Sequence, residues 1–97
     1  MNEAIQYEYC PEKDKKLREE RGIGFTDIAI AVNTGCLLAT KPSHNSINYP
    51  NQFIMVVKVD NYVYEVPYEY RNNIVRLITI WPSRKMTRRY QLKGSLK

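Results

Sequence analysis

Three arginines near the end of the chain, Arg76, Arg84 and Arg88, have the side chain best suited to stabilising a phosphate. A guanidinium is planar, keeps its charge and binds phosphate oxygens in pairs. Cleavage of an RNA phosphodiester asks for little more. The ribose 2′-hydroxyl is already tethered to its phosphate, so an enzyme need only align it, remove a proton and stabilise the added negative charge. Candidate proton-transfer groups are Glu65, Glu69, Tyr68 and His44, the one histidine in the chain. His44 has the right intrinsic pKa, whereas a glutamate beside arginines is a weak base near neutral pH. Each candidate also has a plainer use. Arg76 can form an ion pair with Glu65 or Glu69, and Arg84 and Arg88 can simply keep a surface soluble.

Other chemistries lack their residues. There is no Gly-rich phosphate loop, no His or Cys cluster with metal spacing and no GxSxG, so neither a metal nor a cofactor is expected. Cys10 and Cys36 have no CxxC spacing and are expected to be small buried hydrophobes.

The charge is divided along the chain. Residues 1–70 hold seven basic and ten acidic side chains, whereas residues 71–97 hold eight basic side chains and no carboxylate, for a total of +5. Such a pole attracts polyanions through their phosphates, with nucleic acid, an acidic protein or a membrane surface as the candidates. No apolar run approaches the roughly 18 residues of a membrane span, and the first residues do not read as a signal peptide, so a cytosolic protein without membrane contact is expected. A length of 97 residues predicts one domain.

The elements that must position these residues follow from pattern and punctuation. Ile5 to Tyr9 alternates as a short strand. Pro11 suits the first turn of a helix running to about Arg21, with Gly22 as its left-handed stop. Thr26 is expected to cap a second, largely buried helix over Ile28 to Val32, with Phe25 stapled onto Ile30 and Gly35 as the stop. Cys36 to Ala39 reads as a strand, and Thr40 to Gln52 as a long loop containing His44. Phe53–Val59, Tyr62–Tyr70 and Ile74–Trp81 then form an antiparallel meander turning at Asp60-Asn61 and Arg71-Asn72-Asn73. Pro67 belongs at an edge or a bulge. Arg76 shares a strand face with Ile74, Ile78 and Ile80. Ser83 or Thr87 caps a short terminal helix, and residues 93–97 form a loose tail. The fold class is therefore α+β, an antiparallel sheet with two N-terminal helices and a short C-terminal one.

Two stretches resemble the BrnT family of type II toxins. Tyr7-Glu8-Tyr9-Cys10-Pro11-Glu12-Lys13, continuing through Arg21-Gly22-Ile23-Gly24-Phe25-Thr26-Asp27, is similar to that family's opening, with Tyr9, Cys10 and Arg21 where the family has Trp, Asp and His. Arg76-Leu77-Ile78-Thr79 and Arg84-Lys85-Met86-Thr87-Arg88-Arg89-Tyr90 resemble its Arg-Ile-Ile-Ser and Arg-Lys-Ala-Thr-Arg-Arg. The resemblance implies a RelE-like fold, ribonuclease activity that stops growth, and a ribbon-helix-helix antitoxin through which alone operator DNA is contacted. Carried over by position, Lys13, Arg76, Arg84 and Arg88 match the family's basic positions. Lys13, Lys85, Arg89 and Tyr68 are the expected RNA-binding residues, and Arg76, Arg84, Arg88, Glu65 and His44 the expected catalytic ones. The competing expectation is a non-catalytic module that uses the same basic pole to bind nucleic acid or a protein.

Overall fold

The structure, a computed structural model, describes residues 6–43 and 47–92. It is an α+β fold in the order β1 (Gln6–Glu8), α1 (Pro11–Arg21), α2 (Phe25–Asn33), β2 (Leu37–Pro42), β3 (Gln52–Val59), β4 (Tyr62–Arg71), β5 (Ile74–Leu77), β6 (Trp81–Pro82) and α3 (Arg84–Leu92). The sheet order is β1-β5-β4-β3-β2, and β6 also pairs with β4. Strands β2 to β5 are antiparallel neighbours, but β1 runs parallel to β5, so the sheet is mixed rather than antiparallel throughout. A parallel pair needs a long crossover, and everything from α1 to β4 lies between these two strands.

Both sheet faces are covered. Met55, Val57, Val66, Val75 and Leu77 meet Leu17, Phe25, Ile28 and Ala31 of α1 and α2 in the main core. Val56 and Val63 point the other way and meet Met86 of α3. The alternation of buried valines along β3 and β4 is what a sheet buried on both sides requires.

Helix α1 has the expected limits. Pro11 opens it, and Gly22 ends it at φ 70°, its N–H bonding the Arg18 carbonyl. Helix α2 begins differently from expectation. Its N-cap is the extended Gly24, not Thr26. Asp27 Oδ2 accepts the Gly24 N–H at 2.9 Å, and Asp14 Oδ1, from α1, accepts the Phe25 N–H at 2.7 Å. Arg18 bridges Asp14 and Asp27 and donates to the Thr26 hydroxyl, which is thereby taken up by a different bond. A Cβ on Gly24 would stand 2.5 Å from the Arg18 guanidinium, the end of a partly exposed side chain, which would have to shift and disturb its bridge. The staple of Phe25 onto Ile30 does not form. Phe25 is fully buried with its ring 5.2 Å from that of Tyr9, while Ile30 is 61% exposed. Only Phe25, Ile28 and Ala31 of α2 are buried.

The strand after α2 runs on to Pro42, shortening the expected loop, because it continues to pair with β3 through Pro42 and Phe53. The hairpin turns are as expected, with Asp60 at φ 55° in the first and Asn72 and Asn73 at 54° and 64° in the second. Two successive left-handed residues give the primed turn that matches strand twist.

The expected last strand is broken into two. Pro67 has no N–H to give to the ladder, and its carbonyl accepts the Ile78 N–H at 2.9 Å just where β5 ends. The chain then leaves the ladder until Trp81 pairs with Glu65. This break ends the alternation, so Ile80 does not share the Arg76 face. It joins Val75 and Leu77 in the main core, fully buried.

Asp14 holds α1 to the start of α2, so Asp14→Ala leaves the part-buried Phe25 N–H without an acceptor. The expected loss is about 1–3 kcal/mol of unfolding free energy, read as a lower urea midpoint at unchanged slope.

Candidate nucleic-acid interface

The basic helix α3 is hydrogen-bonded to the sheet at Val63. Val63 of β4 donates its N–H to Thr87 Oγ1 at 2.9 Å, and its carbonyl accepts the Ser83 N–H at 2.9 Å. Ser83 Oγ accepts the Met86 N–H at 3.2 Å, the bond of an N-cap, so Ser83 caps α3 while Thr87 ties it down. Thr87 Oγ1 also donates to the Ser83 carbonyl at 2.8 Å. Ser83, Met86 and Thr87 are buried as a result.

With that side turned inward, Arg84, Lys85, Arg88 and Arg89 are all exposed. None of the four forms an ion pair among the described residues. Arg84 with Arg88, and Lys85 with Arg89, stand one turn apart, roughly 6 Å along the axis. Like charges at that spacing destabilise a helix by a few tenths of a kcal/mol per pair. Arg84 and Lys85 moreover occupy the first turn, where the helix dipole favours anions, and no acidic residue is there to offset them. Of the four, only Arg89 stands in the last turn, where the dipole favours a cation; the rest of the arrangement works against the isolated helix and is one a polyanion would stabilise.

Beside α3 lies a cleft of about 380 Å³ lined by Lys41, Glu65, Trp81, Lys85, Met86 and Arg89. Its floor is built by register, since Glu65 and Trp81 are direct cross-strand partners. Lys41 Nζ lies 3.1 Å from Glu65 Oε1, and the Glu65 side chain is only 12% exposed. Lys41 and Trp81 were missed as site residues by sequence reasoning. Lys41 reaches Glu65 through the long-range pairing of three strands, for which the local sequence carries no signal.

Arg76 is placed elsewhere. It is exposed on β5, opposite Glu69 of β4 on one side and Glu8 of β1 on the other. Glu65 and Glu69 lie on the same face of β4 but four residues apart, roughly 13 Å of strand. Neither glutamate pairs with Arg76: Glu65 meets Lys41, and Glu69 Oε2 lies 3.8 Å from an Arg71 nitrogen. The largest cavity described, about 490 Å³, sets Arg76 with Tyr7, Glu8, Tyr9, Cys10, Pro11 and Asp14. None of the cavities described holds Arg76 together with Arg84 or Arg88.

The remaining expected residues are dispersed. Lys13 is exposed on α1. Tyr68 points to the α1–α2 side, its ring 5.7 Å from Phe53, and burial raises its pKa, so the phenol stays neutral. It therefore faces away from α3. His44 lies outside the described residues. Cys36 is half-buried, but Cys10 is exposed at the start of α1, contrary to expectation, because it stands ahead of the first turn rather than on its packed side.

No group of three or more His, Cys, Asp or Glu side chains that could hold a metal ion occurs among the described residues. No helix among them is long and apolar enough to cross a membrane. In comparisons with protein-family models and with curated proteins, nothing matches this chain.

Thr87→Val keeps the shape of the side chain but removes the acceptor for the buried Val63 N–H. A loss of about 1–3 kcal/mol is expected in urea unfolding, together with faster hydrogen exchange at the Val63 amide.

Proposed function

We propose that this chain binds RNA through α3 and acts as a metal-independent endoribonuclease toxin in the bacterial cytoplasm, held in check by a ribbon-helix-helix antitoxin. The observation that carries the RNA-directed part is the set of four exposed cations on α3, none in an ion pair among the described residues, two of them in its first turn. The resemblance of Arg76–Thr79 and Arg84–Tyr90 to the BrnT toxins supplies the enzymatic part, and the element order, two helices between the first strand and the meander and one after it, is compatible with it. Operator DNA would be met only through the antitoxin.

In this reading the 2′-hydroxyl attacks the adjacent 3′-phosphate and the P–O5′ bond breaks, leaving a 2′,3′-cyclic phosphate and a 5′-oxygen that takes up a proton, while Arg84 and Arg88 stabilise the charge that develops on the phosphate oxygens. Lys85 and Arg89 hold the neighbouring backbone. Arg76 and Lys13 engage the RNA further along its length, and His44 or Glu65 moves the proton. The separation of Arg76 from α3 favours a second reading, a non-catalytic module binding RNA by the same helix.

Induction of the wild-type chain in growing cells, beside an Arg84→Ala/Arg88→Ala variant, separates the two. Arrest with RNA breakdown in the wild type alone supports the toxin. Normal growth in both, with the purified wild type still binding single-stranded RNA, supports the module. In that binding assay each phosphate contact contributes about −0.7 to the slope of log affinity against log salt. The double variant is expected to lose about 1.4 of that slope. An unchanged slope would overturn both readings.

A further inference from the structure

We propose that Trp81 is the platform on which one unpaired base of a bound strand stacks beside α3, so that the protein selects single-stranded over duplex RNA. This rests on the RNA-binding reading above and adds a residue to it that carries no charge. Trp81 is the chain's one tryptophan, half-buried, yet it belongs to neither hydrophobic core. By contrast Phe25, Tyr9, Tyr64 and Tyr68 lie in or against the main core. Among the described residues no other aromatic ring stacks on Trp81. The largest apolar side chain of the protein is thus left out of the packing that occupies most of the others.

The chain holds this ring in place. Ile80, just before it, is fully buried in the main core, and Ser83, two residues after it, is buried at the start of α3. Trp81 itself pairs with Glu65 in the β4–β6 ladder. With the backbone fixed on both sides, the indole loses little freedom when a partner arrives, which is the condition for tight stacking. It forms one wall of the cleft of about 380 Å³, and Lys41, Lys85 and Arg89 line the same space. The carboxylate in that lining, Glu65, is already paired with Lys41 at 3.1 Å, and the site asks nothing further of it.

A fixed aromatic ring beside exposed cations is the combination that binds unpaired nucleotides. The ring stacks a base whatever its identity, and the cations follow the backbone. Lys85 and Arg89 stand one turn apart on α3, roughly 6 Å, and so serve the phosphates on either side of a base lying on Trp81. In a duplex each base is already stacked between its neighbours, and its flat faces do not reach a wall inside a cleft. A site made of phosphate contacts alone behaves in the opposite way, because a duplex carries more charge per unit length and binds it more strongly. The choice between strand and duplex therefore falls to Trp81.

Full-length protein is titrated with three 2′-O-methyl RNAs, which lack the attacking hydroxyl and stay intact. They are a mixed-sequence dodecamer, the duplex of that dodecamer with its complement, and an abasic dodecamer of the same charge as the single strand. The single strand is expected to quench Trp81 fluorescence and to bind about tenfold more tightly than the abasic strand, the worth of one stacked base. The duplex, despite its doubled charge, is expected to bind less tightly than the single strand and to leave the fluorescence unchanged. Trp81→Ala, checked for folding by circular dichroism, is expected to bring the single and abasic strands to within about threefold of each other, and Trp81→Phe to keep most of their difference. Arg89→Ala, an exposed position, weakens both strands and leaves their ratio intact. The wild-type comparison decides the matter even where a variant fails to fold. Equal binding of single and abasic strands, with the salt dependence above preserved, overturns stacking on Trp81 while the RNA-binding reading stands, and tighter binding of the duplex does the same. Failure to bind any of the three overturns both.

Discussion

The bonding of one strand residue, Val63, governs what this protein can present to a partner. Its amide and carbonyl are both taken by the segment that starts α3, through the Thr87 hydroxyl and the Ser83 amide. Those two bonds decide which side of α3 is buried, and hence that Arg84, Lys85, Arg88 and Arg89 face outward. A helix of nine residues has little reason to stay folded by itself, and the repulsion between its cations and the placing of Arg84 and Lys85 at the positive end of the dipole add to that. Tertiary anchoring supplies what so short and charged a helix lacks, with Met86 adding an apolar contact to Val56 and Val63.

A second constraint, the missing N–H of Pro67, shapes the rest of the basic pole. It releases the chain from β4 after Leu77 and lets Trp81 rejoin the ladder lower down. Arg76 and the α3 cations are separated as a result, and Arg76 lies among carboxylates. Arg76 stays with Glu8, Glu69 and the start of α1 at one end of the sheet, and α3 gathers around Glu65 and Trp81 at the other. A strand of RNA lying across that face would meet both. A single phosphate would not.

Much of the fold was legible because its signals are local. Pro11 and Gly22 bracket α1, the two hairpin turns have residues that tolerate positive φ, and alternating valines mark β3 and β4. What escaped depends on contacts between distant residues. The cap of α2 is Gly24 because Asp14 and Arg18 come from another helix to complete it. The last strand breaks because of a proline on its neighbour, and with that break Arg76 separates from Ile80. In the site, the cations of α3 could be read from charge alone, since residues 71–97 contain no carboxylate. The ion pair of Lys41 with Glu65 could not, because it needs the register of β2 on β3 and β3 on β4.

The claim on which the account turns is that the exposed, basic face of the anchored helix α3 is the surface that receives RNA. Backbone amide shifts in a two-dimensional NMR titration with single-stranded RNA test it most directly. The account predicts the largest changes at residues 84–89 and at the Trp81 indole, with Tyr68 and Tyr70 on the opposite face unmoved. Changes centred on the α1–α2 face, with α3 silent, would contradict it.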